Sequence, residues 1–363
     1  MRAVHTYRPA PVPVEYSRRE QEGHSRAVVA VRASALGLAA ILCILIGCSS
    51  EKPKSATSDA SVSGTSTSTE TESLTGTATE TSTSPTSVAD SGPLLFGTPC
   101  NGHDEYCSKR YDELCQAVTH DSVANSPEFW QFPAQSKSVR EQLNASIGAL
   151  MLSVYDDSGT LSVCRGDCDE GNTALASVLG SVRDFLDANP RQVVTLLLDS
   201  SVEASRVQRE FEALELDHFA IAQAENAPWP TLGQMIESGS RLVVFSNAPD
   251  ATAAWLLPRD VWIWETARDW TSLTSMKCNP AVGDRTRPLA LIHHNFVDTA
   301  DGGSHDPSVV LATTANAFAV VTERLEACAS QSSRVPNFVA VDFAAVGDVV
   351  GATQVMNGVR PAP

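Results

Sequence analysis

The stretch QVVTLLLD, residues 192–199, decides the fold. A strand with one wet face alternates apolar and polar residues, whereas a strand covered on both faces is free to be apolar along its length. QVVTLLLD is of the second kind. It reads as a parallel strand with both faces covered, and its closing aspartate marks the start of a loop. The residues before it agree. TALASVLGSVRDFLDANP (173–190) spaces Leu175, Leu179, Val182 and Leu186 at helical intervals and stops at Asn189-Pro190, where a proline ring ends the helix.

The alternation continues in both directions. LCQAVTH (114–120), ALMLSVY (149–155), RLVVFS (241–246), PLALIHH (288–294) and PNFVAVDF (336–343) read as strands. Between them, SVREQLNASI (138–147) places Val139, Leu143 and Ile147 on one helix face. WPTLGQMIESG (229–239) is a short helix with Thr231 as N-cap and Gly239 at its C-terminal end. DPSVVLATTANAFAVVTERLEAC (306–328) reads as one long helix, and DVVGATQVMN (348–357) as a closing one. This pattern means a parallel α/β fold, either a barrel or a doubly wound sheet. No glycine-rich phosphate loop follows a strand, which counts against a dinucleotide-binding sheet.

The 363 residues carry a net charge of −17, which argues against a nucleic-acid partner. An apolar run of about a dozen residues, too short to span a bilayer, ends in Leu45-Ile46-Gly47-Cys48. That ending resembles a bacterial lipobox. Residues 1–47 are therefore expected to be a signal peptide, with Cys48 lipidated and the chain exported to an outer membrane or cell surface. Residues 48–92, rich in Ser and Thr and nearly devoid of large apolar side chains, read as a disordered tether. Residues 93–363 hold the folded domain. Export favours disulfides. Spacing suggests Cys100 with Cys107 and Cys164 with Cys168, and elimination leaves Cys278 with Cys328 and a buried Cys115. Zinc is the alternative for these cysteines.

In a parallel barrel the chemistry belongs at the carboxyl ends of strands. His120 and Asp121, Ser153 and Tyr155, Arg165, Asp199, His293 and His294, and Asp342 all end expected strands. These segments, in this order, resemble the phosphatidylinositol-specific phospholipase C X-domain family, in its bacterial and secreted branches. The matching pieces run from CNGHDEYCSKRYDELCQAVTHDS through LMLSVYDDSGTLSVCRGDC and FLDANPRQVVTLLLD to PNFVAVDFAAVGDV. The resemblance implies a TIM-type (β/α) barrel that cuts a phosphodiester of a phospholipid or inositol-phosphate headgroup by acid–base chemistry. One histidine takes the proton of an inositol hydroxyl, a second protonates the leaving oxygen, and a cation steadies the phosphate.

Carried over residue by residue, the resemblance makes His120 the base, Asp342 its orienting carboxylate, and Asp121, Asp199 and His294 lining or binding residues. The second histidine of the family's CHG motif is Arg165 in this chain, in CRG. The family's charge-stabilising position falls on Ser153 and a further acidic position on Met151. A guanidinium grips a phosphate but does not release a proton at useful pH. Losing a general acid costs about 10²–10⁴-fold in rate, so family catalysis is expected to be impaired. The alternative is a pseudoenzyme lipoprotein that binds phosphorylated headgroups or a protein partner. No cofactor is expected. Calcium, used by eukaryotic members, takes about 6–8 oxygens, and Asp121 with Asp199 would be few.

Overall fold

The computed structural model describes residues 98–166, 168–268, 270–298 and 306–359, all within Thr86–Pro363, the second of two compact units. The expected signal peptide, Cys48 and the tether lie outside the described residues.

Thirteen strands occur among the described residues. They are β1 (Gln116–Thr119), β2 (Ala149–Asp157), β3 (Thr160–Cys164), β4 (Asn172–Ala174), β5 (Val194–Ser200), β6 (Leu242–Ser246), β7 (Leu256–Pro258), β8 (Ile263–Thr266), β9 (Pro280–Val282), β10 (Leu289–His293), β11 (Val297–Asp298), β12 (Asp306–Pro307) and β13 (Phe338–Val341). The helices are α1 (Val139–Asn144), α2 (Leu175–Ala188), α3 (Ala204–Ala213), α4 (Leu232–Ser238), α5 (Arg259–Trp262), α6 (Val309–Ala315), α7 (Phe318–Ser332) and α8 (Val349–Met356).

Eight strands are parallel, in the order β7-β6-β5-β2-β1-β13-β10-β8. The sheet curls on itself. The rings of Phe245 on β6 and Phe338 on β13 lie 6.2 Å apart although β5, β2 and β1 separate their strands. This is the expected (β/α) barrel, with one seam open. Among the described residues β7 and β8 are not paired, and α5 joins them directly.

Side chains alternate along each strand, and both faces are buried. Val118, Met151, Leu197, Phe245, Ile263, Leu291 and Phe338 fill the interior. Leu150, Leu152, Leu196, Leu198, Val339 and Val341 face outward with Leu175, Leu179, Val182 and Leu186 of α2 in one core. The apolar run at 192–199 follows from this double burial. Capping fixes the short helices. Ser138 with Glu141 and Thr231 with Gln234 form capping boxes, and Gly239 takes the left-handed φ of 79° that ends α4.

Two expectations change. β3 is not a barrel strand. It runs antiparallel to β2, with Val163 opposite Val154, so β2 rises past the mouth and β3 brings the chain back down to it. The expected long helix at 306–328 breaks into α6 and α7 at Asn316. That side chain turns away to donate to the carbonyls of Asp342 and Phe343, at 2.8 and 3.3 Å. The break ties the helical layer to the end of β13.

Candidate functional site

Counting by twos along the interior face of seven of the eight parallel strands leads to one polar residue at the carboxyl end of each. β1 leads to His120, β2 to Ser153, β5 to Asp199, β6 to Asn247, β8 to Glu265, β10 to His293 and β13 to Asp342. These form the top layer of the barrel, where loops replace apolar neighbours.

His120 and Asp342 meet there. The backbone N–H of His120 donates to the Val341 carbonyl at 2.9 Å, and imidazole Nδ1 donates to Asp342 Oδ1 at 2.8 Å. Gln135, fully buried, clamps both strand ends by donating to the carbonyls of His120 (2.8 Å) and Val341 (3.1 Å). The next residues, Asp121 and Phe343, have φ of 44° and 47°. For a side chain as bulky as Phe343 this is strained backbone of the kind that a functional corner sustains.

The electrostatics favour an ion pair. Burial works hardest against a charge on His120, but Asp121 and then Asp342 outweigh it and raise the imidazole to about 9. Burial also pushes the Asp342 carboxyl up, against the pull of the His120 charge. The proton rests on His120.

Arg165 reaches this pair because β3 returns to the mouth. Its Nε lies 3.2 Å from Asp121 Oδ2, which is itself 3.7 Å from His120 Nδ1, and its Nη1 lies 3.6 Å from Asp306. The Cys164–Cys168 disulfide brackets it. The other disulfides are Cys100–Cys107 and Cys278–Cys328. Cys115 is a free, buried thiol, and these pairings displace the zinc alternative.

Across the mouth lies a second polar group. Asp199 accepts from Asn247 Nδ2 at 2.6 Å and faces Arg268 Nη1 at 3.7 Å. Arg268 also contacts Glu265 Oε2 at 3.1 Å, and Arg259 contacts Glu265 Oε1 at 2.8 Å. Burial opposes the charge on Glu265, yet His293, Arg259 and Arg268 hold its carboxyl down to about 2.

His294 is not at the mouth. It follows β10 in the outward phase of Ala290 and Ile292, buried, with Nε2 bonded to the Ala315 carbonyl at 2.9 Å and its ring edge-on to Phe296. The inward histidine of the pair is His293, whose Nε2 meets Glu265 Oε2 at 2.9 Å. The reading at the sequence level missed Glu265, Arg268 and Asn247. The signal was present in IWETAR (263–268), a short apolar run closed by an acid and, three residues on, an arginine.

Met151 and Ser153 offer no carboxylate, Asp121 is engaged by Arg165, and Asp199 is engaged by Asn247 and Arg268.

At the carboxyl mouth of this open-seamed parallel barrel, a histidine–carboxylate pair stands with guanidiniums beside it. The PI-PLC X family model matches residues 106–357, and the chain belongs to that family. It is 31% identical over 275 residues to PI-PLC X domain-containing protein 1 of Arthroderma benhamiae, covering 71% of this chain and 89% of that protein. An uncharacterized secreted protein of the same fungus is 30% identical over 275 residues, and the chain spans 62% of its length. Among solved structures, the F249X mutant of phosphatidylinositol-specific phospholipase C from Staphylococcus aureus superposes with a TM-score of 0.49 at 12% identity. That match covers 70% of this chain and 95% of the other.

Proposed function

We propose that this chain is a phosphodiester-headgroup protein of the phosphatidylinositol-specific phospholipase C type, of the bacterial secreted branch, in which cleavage by the family's own route is impaired. The observation that carries this reading is the His120–Asp342 pair at 2.8 Å with Arg165 held beside it through Asp121 at 3.2 Å. The pair supplies one proton-carrying imidazole. Arg165 supplies a planar donor fork for phosphate oxygens. Calcium plays no part in this reading, because the donor set at the mouth suits a guanidinium-steadied phosphate. What is missing is a proton carrier at position 165, so turnover needs a second one from another strand.

A binding-only role is the second reading, favoured by that same guanidinium standing where an acid is required. The reading also includes export and anchoring through Cys48. In support of export, one relative is described as secreted.

The test is release of inositol phosphate from a water-soluble inositol phosphodiester by the purified chain and by His120→Ala, with calorimetric titration of inositol phosphate alongside. Turnover lost in the variant supports the enzyme, and binding without turnover supports the second reading. Neither binding nor turnover refutes both.

A further inference from the structure

The mouth holds two histidine–carboxylate pairs rather than one. His293 ends β10 in the inward phase of Leu289 and Leu291, as His120 ends β1 in the phase of Val118. Each ring is tied through one nitrogen to an acid on a neighbouring strand, His120 to Asp342 and His293 to Glu265. Because Glu265 is ionised, Nε2 of His293 carries the proton that it donates, and Nδ1 keeps a lone pair. That Nδ1 is buried without a hydrogen-bond partner. Nδ1 of His294 is unpartnered too, but on the outer face against Phe296, away from the mouth.

We propose that His293, a residue of β10 and not of the β3 exit, is the second imidazole of this site, with His293 as proton acceptor and His120 as proton donor. The proposal rests on the phosphodiester reading above. A hydroxyl gives its proton to His293 Nδ1 while its oxygen forms a bond to phosphorus. The bond from phosphorus to the leaving oxygen breaks as Nε2–H of His120 gives that oxygen a proton. Atoms and charge balance without any co-reactant, and solvent resets both rings. Environments that push two titratable groups apart are how a site assigns an acid and a base. Here Asp121 and Asp342 raise His120 to about 9 against burial, while burial, reinforced by Arg268 and opposed by Glu265, lowers His293 to about 4.

The charged groups around both rings are Asp121, Asp342, Arg165 and Arg268 for His120, and Glu265, Arg268, His120 and, through Glu265, Arg259 for His293. Arg268 is the joint between the pairs. It shares Glu265 Oε2 with His293, and its charge bears on both rings. His293 is fully buried in the free protein, so its action requires the mouth to rearrange on substrate binding and bare Nδ1 to the hydroxyl.

The experiment uses two soluble substrates of one inositol headgroup, with an alkyl or a nitrophenyl leaving group. His293→Gln is expected to lose at least 100-fold in kcat on both, with inositol phosphate affinity within threefold of wild type. His120→Ala is expected to lose its deficit, at least tenfold, on the nitrophenyl ester, which leaves without a donated proton. The wild-type kcat profile needs no variant. It should be flat from about pH 5 to 8 and fall above about 9. A rise that continues to pH 9 overturns the assignment, as does His293→Gln within threefold of wild type, or a His293→Gln deficit that shrinks on the activated ester. Wild type that binds inositol phosphate but turns over neither ester also overturns it, while leaving headgroup recognition standing. Absence of binding refutes the underlying reading.

Discussion

Raising the pH from 6 to 10 strips the proton from His120 and should destabilise the fold by a calculable amount. The imidazole titrates near 9 when folded and near 6.5 when unfolded, so the folded chain holds that proton more tightly. The stabilisation is complete below the unfolded value and is lost as pH rises through the folded one. A gap of about 2.5 units corresponds to about 3 kcal/mol, or about 6–12 °C in melting temperature for a domain of this size. The group is mostly buried, with a 16% exposed side chain, so solvent screens little of this.

The assay is urea unfolding at half-unit pH steps on wild type and His120→Gln. Cys115 and Tyr111 are also pushed up by burial, and they penalise the fold above pH 9 in both proteins alike. The difference between the two curves therefore reports the imidazole together with its carboxylate partner Asp342. Wild type should lead by a margin that closes between about pH 6.5 and 9 and stays closed. A margin that is constant with pH, or that widens upward, would refute the account of His120 as a charged, doubly carboxylate-flanked ring.

Three further outcomes follow from the same geometry. Arg165→Gln, which removes a charged donor but keeps a polar side chain, should weaken inositol phosphate binding about 10- to 100-fold by calorimetry. Cys164→Ser opens the short loop that brackets Arg165. It should cost about 2 kcal/mol in urea unfolding and lower headgroup affinity as well, since the guanidinium is no longer held against Asp121. Asn316→Ala leaves the Asp342 and Phe343 carbonyls without their buried donor and should cost about 1–3 kcal/mol, measured by thermal unfolding at pH 7.

The barrel was legible because its strands are short apolar runs buried on both faces, a signal that depends on composition and not on neighbours. β7 and β8 escaped notice for the opposite reason. They span Leu256–Pro258 and Ile263–Thr266, and only the four residues of α5 separate them. No helical period intervenes to mark them as separate strands, so the acid that closes β8 went unmarked too. The antiparallel course of β3 was equally hidden, since a tight return and a parallel crossover leave the same apolar pattern on the strand itself. What distinguishes them is the length between strands. Only Ser158 and Gly159 join β2 to β3, far too few residues for the helical crossover that a parallel partner needs.

The choice between His293 and His294 shows where sequence reasoning could have gone further. Both are histidines, both end the same apolar run, and the run looks equally buried at every position. Phase settles it. Leu289, Leu291 and His293 share one side of the strand, and the interior side is identified by the glutamate that waits for His293 on β8. A period of two is readable in any strand, but which phase faces inward depends on a residue on another strand. Fold therefore emerges from local pattern, whereas the second half of this site emerges only once β8 and β10 are placed side by side. The arginine at position 165 removes a proton carrier from one strand, and the neighbouring pair of strands holds an imidazole in the same layer. Arg268 and His293 are both bound to Glu265 and both interact electrostatically with His120, so the two halves of that layer are coupled.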